Sequence, residues 1–431
     1  MPVRTQEPFT GIGTAGQLGF GVGVCDQPAL LDRHQITAMD GYDDINSPNY
    51  GNYIHQPSQS ILVWIPAFKY LFDQHAPNKV TISSPNQVTQ KGASLHRAFL
   101  DGNVKKSGFF VDKYICSLND QNQAVSVKNG SICSLTNNSR YGKISGNVEG
   151  CQGILGDAIT LSRARGEGFQ ALNLYQLGAL RLLTLAHAQT STSNDANAWY
   201  DEQPKIPEDK ITQDDIDDWK ANRVNQRHNL PRAANNSHRD QFRDDAQWAT
   251  DPLFKARSLT GSCNPFGKCT HNGQDNGVAD LTGIVYQIAI GYMGQGRFVN
   301  NKIAIADYDL QSLYADDNGD RSHYRTFTLP FDGWHAWDGD QKMFDNGLDP
   351  SELVYNCAGS INVVTKTGDN HQQGMFDHQY QYILDQPDTI MYYGCNELHG
   401  NYYRTGLFYN DTYFKYYDRA EWIGFRASLY L

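Results

Sequence analysis

Positive charge is scarce in this sequence of 431 residues: 36 Lys and Arg stand against 47 Asp and Glu, for a formal net charge of −11. Binding to a phosphate backbone needs clustered Lys and Arg. The two short basic stretches, Lys105-Lys106 and Arg163–Arg165, are predicted to be solvated surface. The composition therefore argues against a nucleic-acid partner.

Long apolar runs are also missing. The best candidate, Leu281–Met293, is interrupted by Thr282, Gln287 and two glycines, so it is too polar and too short to span a bilayer. The first residues, Met1–Gly23, lack the basic stretch followed by an apolar stretch that marks a secretory signal. The sequence predicts neither membrane insertion nor a Sec signal.

Motifs that bind cofactors are absent or incomplete. Gly19–Gly23 matches GxGxG but lacks the Lys-Ser/Thr of a phosphate-binding loop. Among the eight cysteines, Cys263 and Cys269 could pair, but free structural thiols are the preferred interpretation. Asp316–Asp320 begins like a calcium loop, yet Phe327 stands where a Glu is needed. We expect no cofactor; a calcium ion stays open, without assignable ligands.

Aromatic residues are abundant, at 12% with 25 tyrosines, and Asn, Gln, Asp and Gly are frequent, which favours a loop-rich fold with a core. We expect a glycine-rich N-terminal arm over 1–56 and one domain over 57–431, with a polar insertion at about 191–260. Within that domain the patterns predict a turn at Asp101–Asn103 and a buried helix within Phe169–His187. The predicted strands are Ile61–Ile65, Gly108–Tyr114, the end of Asn276–Gln287, and Glu421–Leu429.

Three segments, in order, resemble the formylglycine-generating-enzyme/sulfatase-modifying-factor superfamily. They are the strand Phe109–Tyr114 (FFVDKY), the element Asn276–Gln287 (NGVADLTGIVYQ) and the terminal Gly424–Arg426 (GFR). In the second segment we expect Asn276-Gly277 to form a tight turn with positive φ. The resemblance covers roughly residues 60–431. It implies an α+β, C-type-lectin-like fold that is loop-rich, with small twisted antiparallel sheets and few helices.

The oxidase branch of this superfamily holds Cu(I) with two nearby cysteine thiolates, ligands that suit a soft metal. Here Cys395 stands alone in the matching stretch, and Cys357 is far away in sequence. A pairing of Cys395 with His399 has no orienting partner that can be named. We therefore expect no enzyme activity, with a copper-dependent cysteine oxidase kept as the less favoured alternative.

A tyrosine-rich segment, Tyr392–Asp418, lies directly before Gly424–Arg426. Eight of the 25 tyrosines fall in its 27 residues, among Asn, Asp, His, Thr and Gly. Tyr gives a large, rigid contact at low entropy cost, and Asn and Gly give adaptable hydrogen bonds, as in antibody paratopes. The alternative is a tyrosine stretch packed in the core or at a subunit interface. The candidate ligand-binding residues are Asn396, His399, Asn401, Tyr402, Tyr403, Tyr409, Asn410, Asp411, Tyr413, Tyr416 and Tyr417.

The resemblance extends to phage receptor-binding proteins and to the variable proteins of diversity-generating retroelements. In the retroelement-diversified proteins, the variable region lies just before the terminal strand. The resemblance implies a virion protein that lies on a tail fibre or on the capsid and is made in the bacterial cytoplasm. Its ligand would be a glycan or a protein of the host. We expect residues 1–56 to contact other virion proteins, and a homotrimer to add avidity. A decoration or fibre protein without a specific receptor is the main alternative.

Overall fold

The computed structural model describes residues 11–72, 80–86, 93–101, 104–121, 123–135, 153–190, 248–253, 258–281 and 284–294. Beyond these it describes 302–306, 324–328, 335–336, 379–381, 391–393, 410–411, 417–420 and 423–430. Most of the predicted insertion at 191–260, the possible calcium loop Asp316–Asp320, and Cys357 and Cys395 lie outside the described residues.

Short strands dominate the regular structure of these ranges. The helices are α1 (Pro28–Arg33), α2 (Ile154–Arg163) and α3 (Leu174–Thr190). The strands are β1 (Ile36–Ala38), β2 (Asn52–His55), β3 (Ser60–Pro66), β4 (Lys69–Phe72), β5 (Val80–Ser83), β6 (Ser94–Leu95), β7 (Leu100–Asp101), β8 (Val104–Lys105), β9 (Gly108–Asp112), β10 (Ser117–Leu118), β11 (Ala124–Val125), β12 (Phe169–Ala171), β13 (Tyr286–Ala289), β14 (Tyr292–Gly294), β15 (Lys302–Ala306), β16 (Tyr324–Thr328), β17 (His335–Ala336), β18 (Gln379–Gln381), β19 (Met391–Tyr393), β20 (Asn410–Asp411), β21 (Ile423–Gly424) and β22 (Ala427–Tyr430).

The first large sheet has six strands in the order β1-β2-β3-β9-β22-β12, and its pairs are antiparallel. Both faces of its central strand β3 are covered. Val63 and Ile65 of β3 pack into one hydrophobic cluster, and Leu62 and Trp64 pack into another. A strand that is buried on both faces has a nearly continuous apolar sequence. This pattern is what identified the strands at Ile61–Ile65 and in β9, and both predictions are confirmed.

The predicted buried helix is confirmed, but it begins later than the pattern indicates. Phe169–Ala171 forms β12 instead of helix. Asn173 then caps α3, because its Oδ1 accepts hydrogen bonds from the N–H groups of Tyr175 and Gln176. Leucines around the girth of α3 are fully buried, as expected for a helix that is apolar on most sides.

The second large sheet has the order β17-β18-β20-β19-β13-β21 and contains two parallel pairs, β18/β20 and β13/β21. The prediction of one strand over Glu421–Leu429 is wrong. β21 pairs with β13 in this sheet, whereas β22 lies between β9 and β12 in the first sheet. The segment Gly424–Arg426 is therefore where the chain passes from one sheet to the other.

The glycine-rich N-terminal segment packs with the rest of the protein from residue 11 onward. Ile12, Phe20 and Val22 are fully buried in the cluster that also holds α3. β2 pairs with β3 across residue 57, so the predicted boundary there does not coincide with a break in the structure. Gly21 has φ of +82°, and a Cβ on it would lie 2.7 Å from Nε2 of His271.

The described residues confirm a loop-rich α+β protein with few helices and several small, mostly antiparallel sheets. None of the helices in these ranges is both long and apolar enough to cross a membrane.

Candidate functional site

Arg426 is the centre of a buried polar hub in which the three motif segments meet. Its side chain is fully buried and donates to the carbonyls of Asp112 (2.8 Å), Lys113 (3.4 Å) and Ala279 (2.6 Å). Its Nε donates to Oε1 of Gln287 at 2.9 Å. A planar guanidinium has enough donors to reach acceptors on both of the other motif segments at once. The terminal Gly-Phe-Arg thus holds the other two motifs together.

Asp280 completes the hub from the second motif. Its carboxylate accepts hydrogen bonds from the backbone N–H of Gly261 (2.8 Å) and of Ile115 (3.4 Å). Burial raises the pKa of this carboxyl to about 6, opposed by Arg426 and by the two N–H donors. Its own carbonyl accepts from Nε2 of Gln287 at 2.6 Å, which fixes the orientation of that amide.

The predicted positive φ at Asn276-Gly277 is wrong, since neither residue has it. The turn closes through the N–H of Gly277 and the carbonyl of Gln274 at 3.1 Å. Glycine is required there for space, because a Cβ would lie 2.1 Å from Oδ1 of Asn272.

The first end of the tyrosine-rich segment is fixed on this hub. Tyr393 in β19 is fully buried, and its hydroxyl donates to Oε1 of Gln287 at 3.2 Å. The guanidinium of Arg181 in α3 lies 5.9 Å from the centre of the Tyr393 ring. Tyr393 is therefore part of the core, and the surface predicted to run from Tyr392 must exclude it.

The other end of the segment is fixed on α2. Arg419 pairs with Asp157 at 2.6 Å, and the Asp157 side chain is fully buried. The carbonyl of Asp418 accepts from the N–H of Ile154, the first residue of α2, at 2.8 Å. The N–H of Ala420 donates to the carbonyl of Leu135 at 3.0 Å. The segment is thus fixed to the rest of the protein at β19 and again at residues 418–420.

Three of the predicted binding residues fall within the described residues. Asn410 and Asp411 form β20, which pairs with β18 and with β19, so their backbone lies beside Tyr392 and Tyr393. Tyr417 is 49% exposed. The remaining candidates, Asn396, His399, Asn401, Tyr402, Tyr403, Tyr409, Tyr413 and Tyr416, lie outside the described residues.

A buried ion pair beneath the hub was not predicted. Arg165, expected on the surface, is buried and pairs with Asp112 at 2.5 Å. It also donates to the carbonyl of Ala124 (2.6 Å) and to Sγ of Cys116 (3.2 Å). Asp112 in turn accepts from the N–H of Ala427 at 2.7 Å. The sequence contains an indication of this ion pair. Asp112 lies in a strand that is buried on both faces, and a buried carboxylate needs a cationic partner.

His271 links the hub region to the N-terminal segment. Its Nδ1 accepts from the N–H of Val278 (3.0 Å), so its Nε2 carries the hydrogen and donates to the carbonyl of Gly21 (3.0 Å). The neighbouring Asn272 donates to the carbonyl of Phe20 at 2.7 Å. A proton added at Nδ1 would place two donors face to face, so folding requires neutral His271.

Stability is expected to fall steeply as the pH drops from about 6 to 4. Burial lowers the pKa of His55 to about 4 and that of His96 and His271 to about 3, from an ordinary 6.5. Below about pH 6.5 the unfolded chain therefore binds three protons that the folded chain does not bind. The loss of folding free energy begins at that pH. Asp280 opposes it, since the folded carboxyl protonates near pH 6 and the unfolded one only near 3.8. The unfolded state thus binds about two protons more than the folded state, which changes the free energy of unfolding by about 2.7 kcal/mol per pH unit.

Urea denaturation at several pH values between 7.5 and 4 measures this slope. His96→Gln keeps an acceptor for the N–H of Ala98, which His96 now binds at 3.1 Å, and should reduce the slope by about one proton. A free energy of unfolding that stays constant between pH 7 and 5 would contradict the assignment of neutral buried histidines.

In the described ranges, no group of three or more His, Cys, Asp or Glu side chains is placed to hold a metal ion. The five cysteines that these ranges contain, Cys25, Cys116, Cys133, Cys263 and Cys269, are buried free thiols. No protein-family model matches the chain, and no curated protein matches it.

Proposed function

We propose that this protein is an adhesion protein of a phage virion, which displays its tyrosine-rich segment on a C-type-lectin-like fold of the formylglycine-generating-enzyme type. The three motif segments support the fold. They resemble the superfamily in sequence and order, and Arg426 joins them through hydrogen bonds to Asp112, Lys113 and Gln287.

The observation that carries the proposal is the way both ends of the tyrosine-rich segment are tied to buried groups. Tyr393 is held by Gln287 at one end, and Arg419 is held by Asp157 at the other. Between these anchors the sequence has six further tyrosines, from Tyr402 to Tyr417, among Asn, Asp, Gly and Thr. A rigid platform beneath an aromatic and polar segment lowers the ordering cost of binding.

The virion context rests on the resemblance to phage receptor-binding proteins. In this proposal the ligand is a glycan or protein of the host surface, and a homotrimer raises avidity through repeated weak sites. Contacts with other virion proteins are assigned to residues 1–56. Leu18 is 58% exposed and Ile45 is 39% exposed on that segment, which gives such a contact apolar area.

Replacing tyrosines of the segment is expected to abolish binding to host cells and to leave the fold intact. Tyr402→Ala, Tyr413→Ala and Tyr417→Ala each remove an aromatic contact, and a central tyrosine contributes about 2 kcal/mol or more, or at least thirtyfold in affinity. Labelled protein is titrated onto a panel of bacterial cells and onto arrayed glycans. The matched control is Leu253→Ala, which removes a large apolar side chain that is 72% exposed outside the segment.

Unchanged adsorption by the three tyrosine variants would refute receptor binding by this segment and favour a decoration or fibre protein. Copper-dependent oxidation of a cysteine peptide by the wild-type protein would instead favour the oxidase branch. The readouts are separate, so each alternative has its own positive result.

A further inference from the structure

Cys263 and Cys269 form a pair of neighbouring buried thiols. Burial, and next the Cys263 thiol, raise the pKa of the Cys269 thiol. Both belong to one small hydrophobic cluster with Tyr114 and Ala279. Cys269 is fully buried, whereas Cys263 keeps 4% of its surface exposed. Two thiols that share one small cluster need only a local movement of the chain to bond.

The loop between the two cysteines is held from several sides. The Cys263 thiol donates to the carbonyl of Pro265 at 3.5 Å, and the Cys269 thiol donates to that of Phe266 at 3.2 Å. The Phe266 ring packs edge-on against Tyr114, with centroids 6.1 Å apart. The ammonium of Lys113 lies 5.6 Å from the centre of the same ring. Since Lys113 and Tyr114 belong to the first motif, this loop packs against the strand that leads into the hub.

We propose that Cys263 and Cys269 are an oxidation site, at which a hydroperoxide converts the two thiols into a disulfide that closes the loop over the hub. In the first step, Cys263 attacks the peroxide, the O–O bond breaks, and a sulfenic acid and one water (or alcohol) form. In the second step, Cys269 attacks that sulfenic sulfur, the S–O bond breaks, and water leaves with the remaining thiol proton. Two thiols lose two electrons in total, and the peroxide gains them.

The surroundings assign the order of these steps and distinguish this pair from the other cysteines. Burial raises the pKa of the Cys269 thiol well above its ordinary value, so it stays protonated and reacts second, inside the protein. The Cys116 thiol lies close to Cys133 but is engaged by Asp112 and Arg165, at 3.2 Å each. It is therefore not free to turn towards a second sulfur.

Peptide mapping of the intact protein tests the proposal. Trypsin cleaves after Lys268, between the two cysteines, so a disulfide keeps peptides 258–268 and 269–297 joined. The folded protein is treated with hydrogen peroxide at pH 8.5, denatured with an alkylating agent, digested and analysed by mass spectrometry. We expect the joined species after oxidation, its loss on reduction, and a Tm higher by a few degrees because the closed loop constrains the unfolded chain.

The joined species should disappear in Cys263→Ser and in Cys269→Ser, and it should persist in the matched control Cys133→Ser, which removes another fully buried thiol. Two alkylated, separate peptides after oxidation would overturn the proposal. A sulfinic or sulfonic acid on Cys263 beside an intact Cys269 would overturn it as well. Because the wild-type digest decides the question, a variant that fails to fold does not affect the result.

Discussion

Arg426→Ala is expected to lower the free energy of unfolding by about 4–5 kcal/mol, which is most of the stability of an ordinary domain. The substitution removes the donor that now binds the buried carbonyls of Asp112 and Ala279, whereas the carbonyl of Lys113 keeps the N–H of Ala279. It also opens a cavity at the point where the chain passes between its two large sheets. Each buried acceptor that loses its partner costs about 1–3 kcal/mol, and the cavity adds to this.

Urea denaturation followed by the fluorescence of tryptophan, with Trp64 buried in the first sheet, measures the effect. Arg426→Lys keeps the positive charge but cannot supply the fork, so we expect it to lose about half as much stability as the alanine variant. The matched control is Arg33→Ala. Arg33 is 56% exposed and pairs with a Glu167 that is 76% exposed, so its loss should cost less than about 0.5 kcal/mol.

If the urea midpoint of Arg426→Ala equals that of Arg33→Ala, Arg426 does not hold the three motifs together. A large loss for alanine with none for lysine would show that charge, and not the geometry of the fork, makes the contribution.

Asp112→Asn is expected to cost about 3–5 kcal/mol, although the side chain hardly changes in size. Asp112 and Arg165 have 0% and 1% of their side chains exposed, so the substitution leaves a buried guanidinium without its counter-ion. Arg165→Met should cost a similar amount for the same reason, because it leaves a buried carboxylate. The double variant removes both charges and should be clearly more stable than the sum of the single losses predicts.

A double-mutant cycle from urea denaturation gives the coupling energy, expected at about 2 kcal/mol or more. The same cycle on Arg33 and Glu167, an exposed pair, should give less than about 0.5 kcal/mol. A coupling near zero at Asp112 and Arg165 would mean that the pair contributes nothing beyond its separate hydrogen bonds.

The elements that were predictable are those whose signal is local. β3 and β9 are apolar on both faces, and α3 is apolar around most of its girth, so their patterns identify them. The sequence predicts that Phe169–Ala171 belongs to the helix. The local pattern does not show that Asn173 caps α3 or that these residues pair with β22 as a strand. Here tertiary pairing overrides helix propensity.

The sequence identifies the three motif segments of the site, but it does not show how their side chains are arranged. The three motifs appear in the sequence, but only the fold shows that Arg426 joins them. Tyr393 and Tyr417 look alike in sequence, yet one is fully buried and the other is half exposed. Arg165 was placed on the surface because its partner, Asp112, is 53 residues away along the chain. Contacts between distant segments leave no periodic pattern to detect.

The place of β22 in the first sheet affects the order in which the protein can form. β22 lies between β9 and β12, so neither of these strands gains that neighbour until residues 427–430 have been synthesised. At a synthesis rate of about 5–20 residues per second, β12 is made roughly 10–50 s before β22, and β9 is made earlier still. During that time their edges offer unpaired backbone groups to other nascent chains. Completion of this sheet is therefore a late event in synthesis, and the nascent chain is most exposed to aggregation just before it.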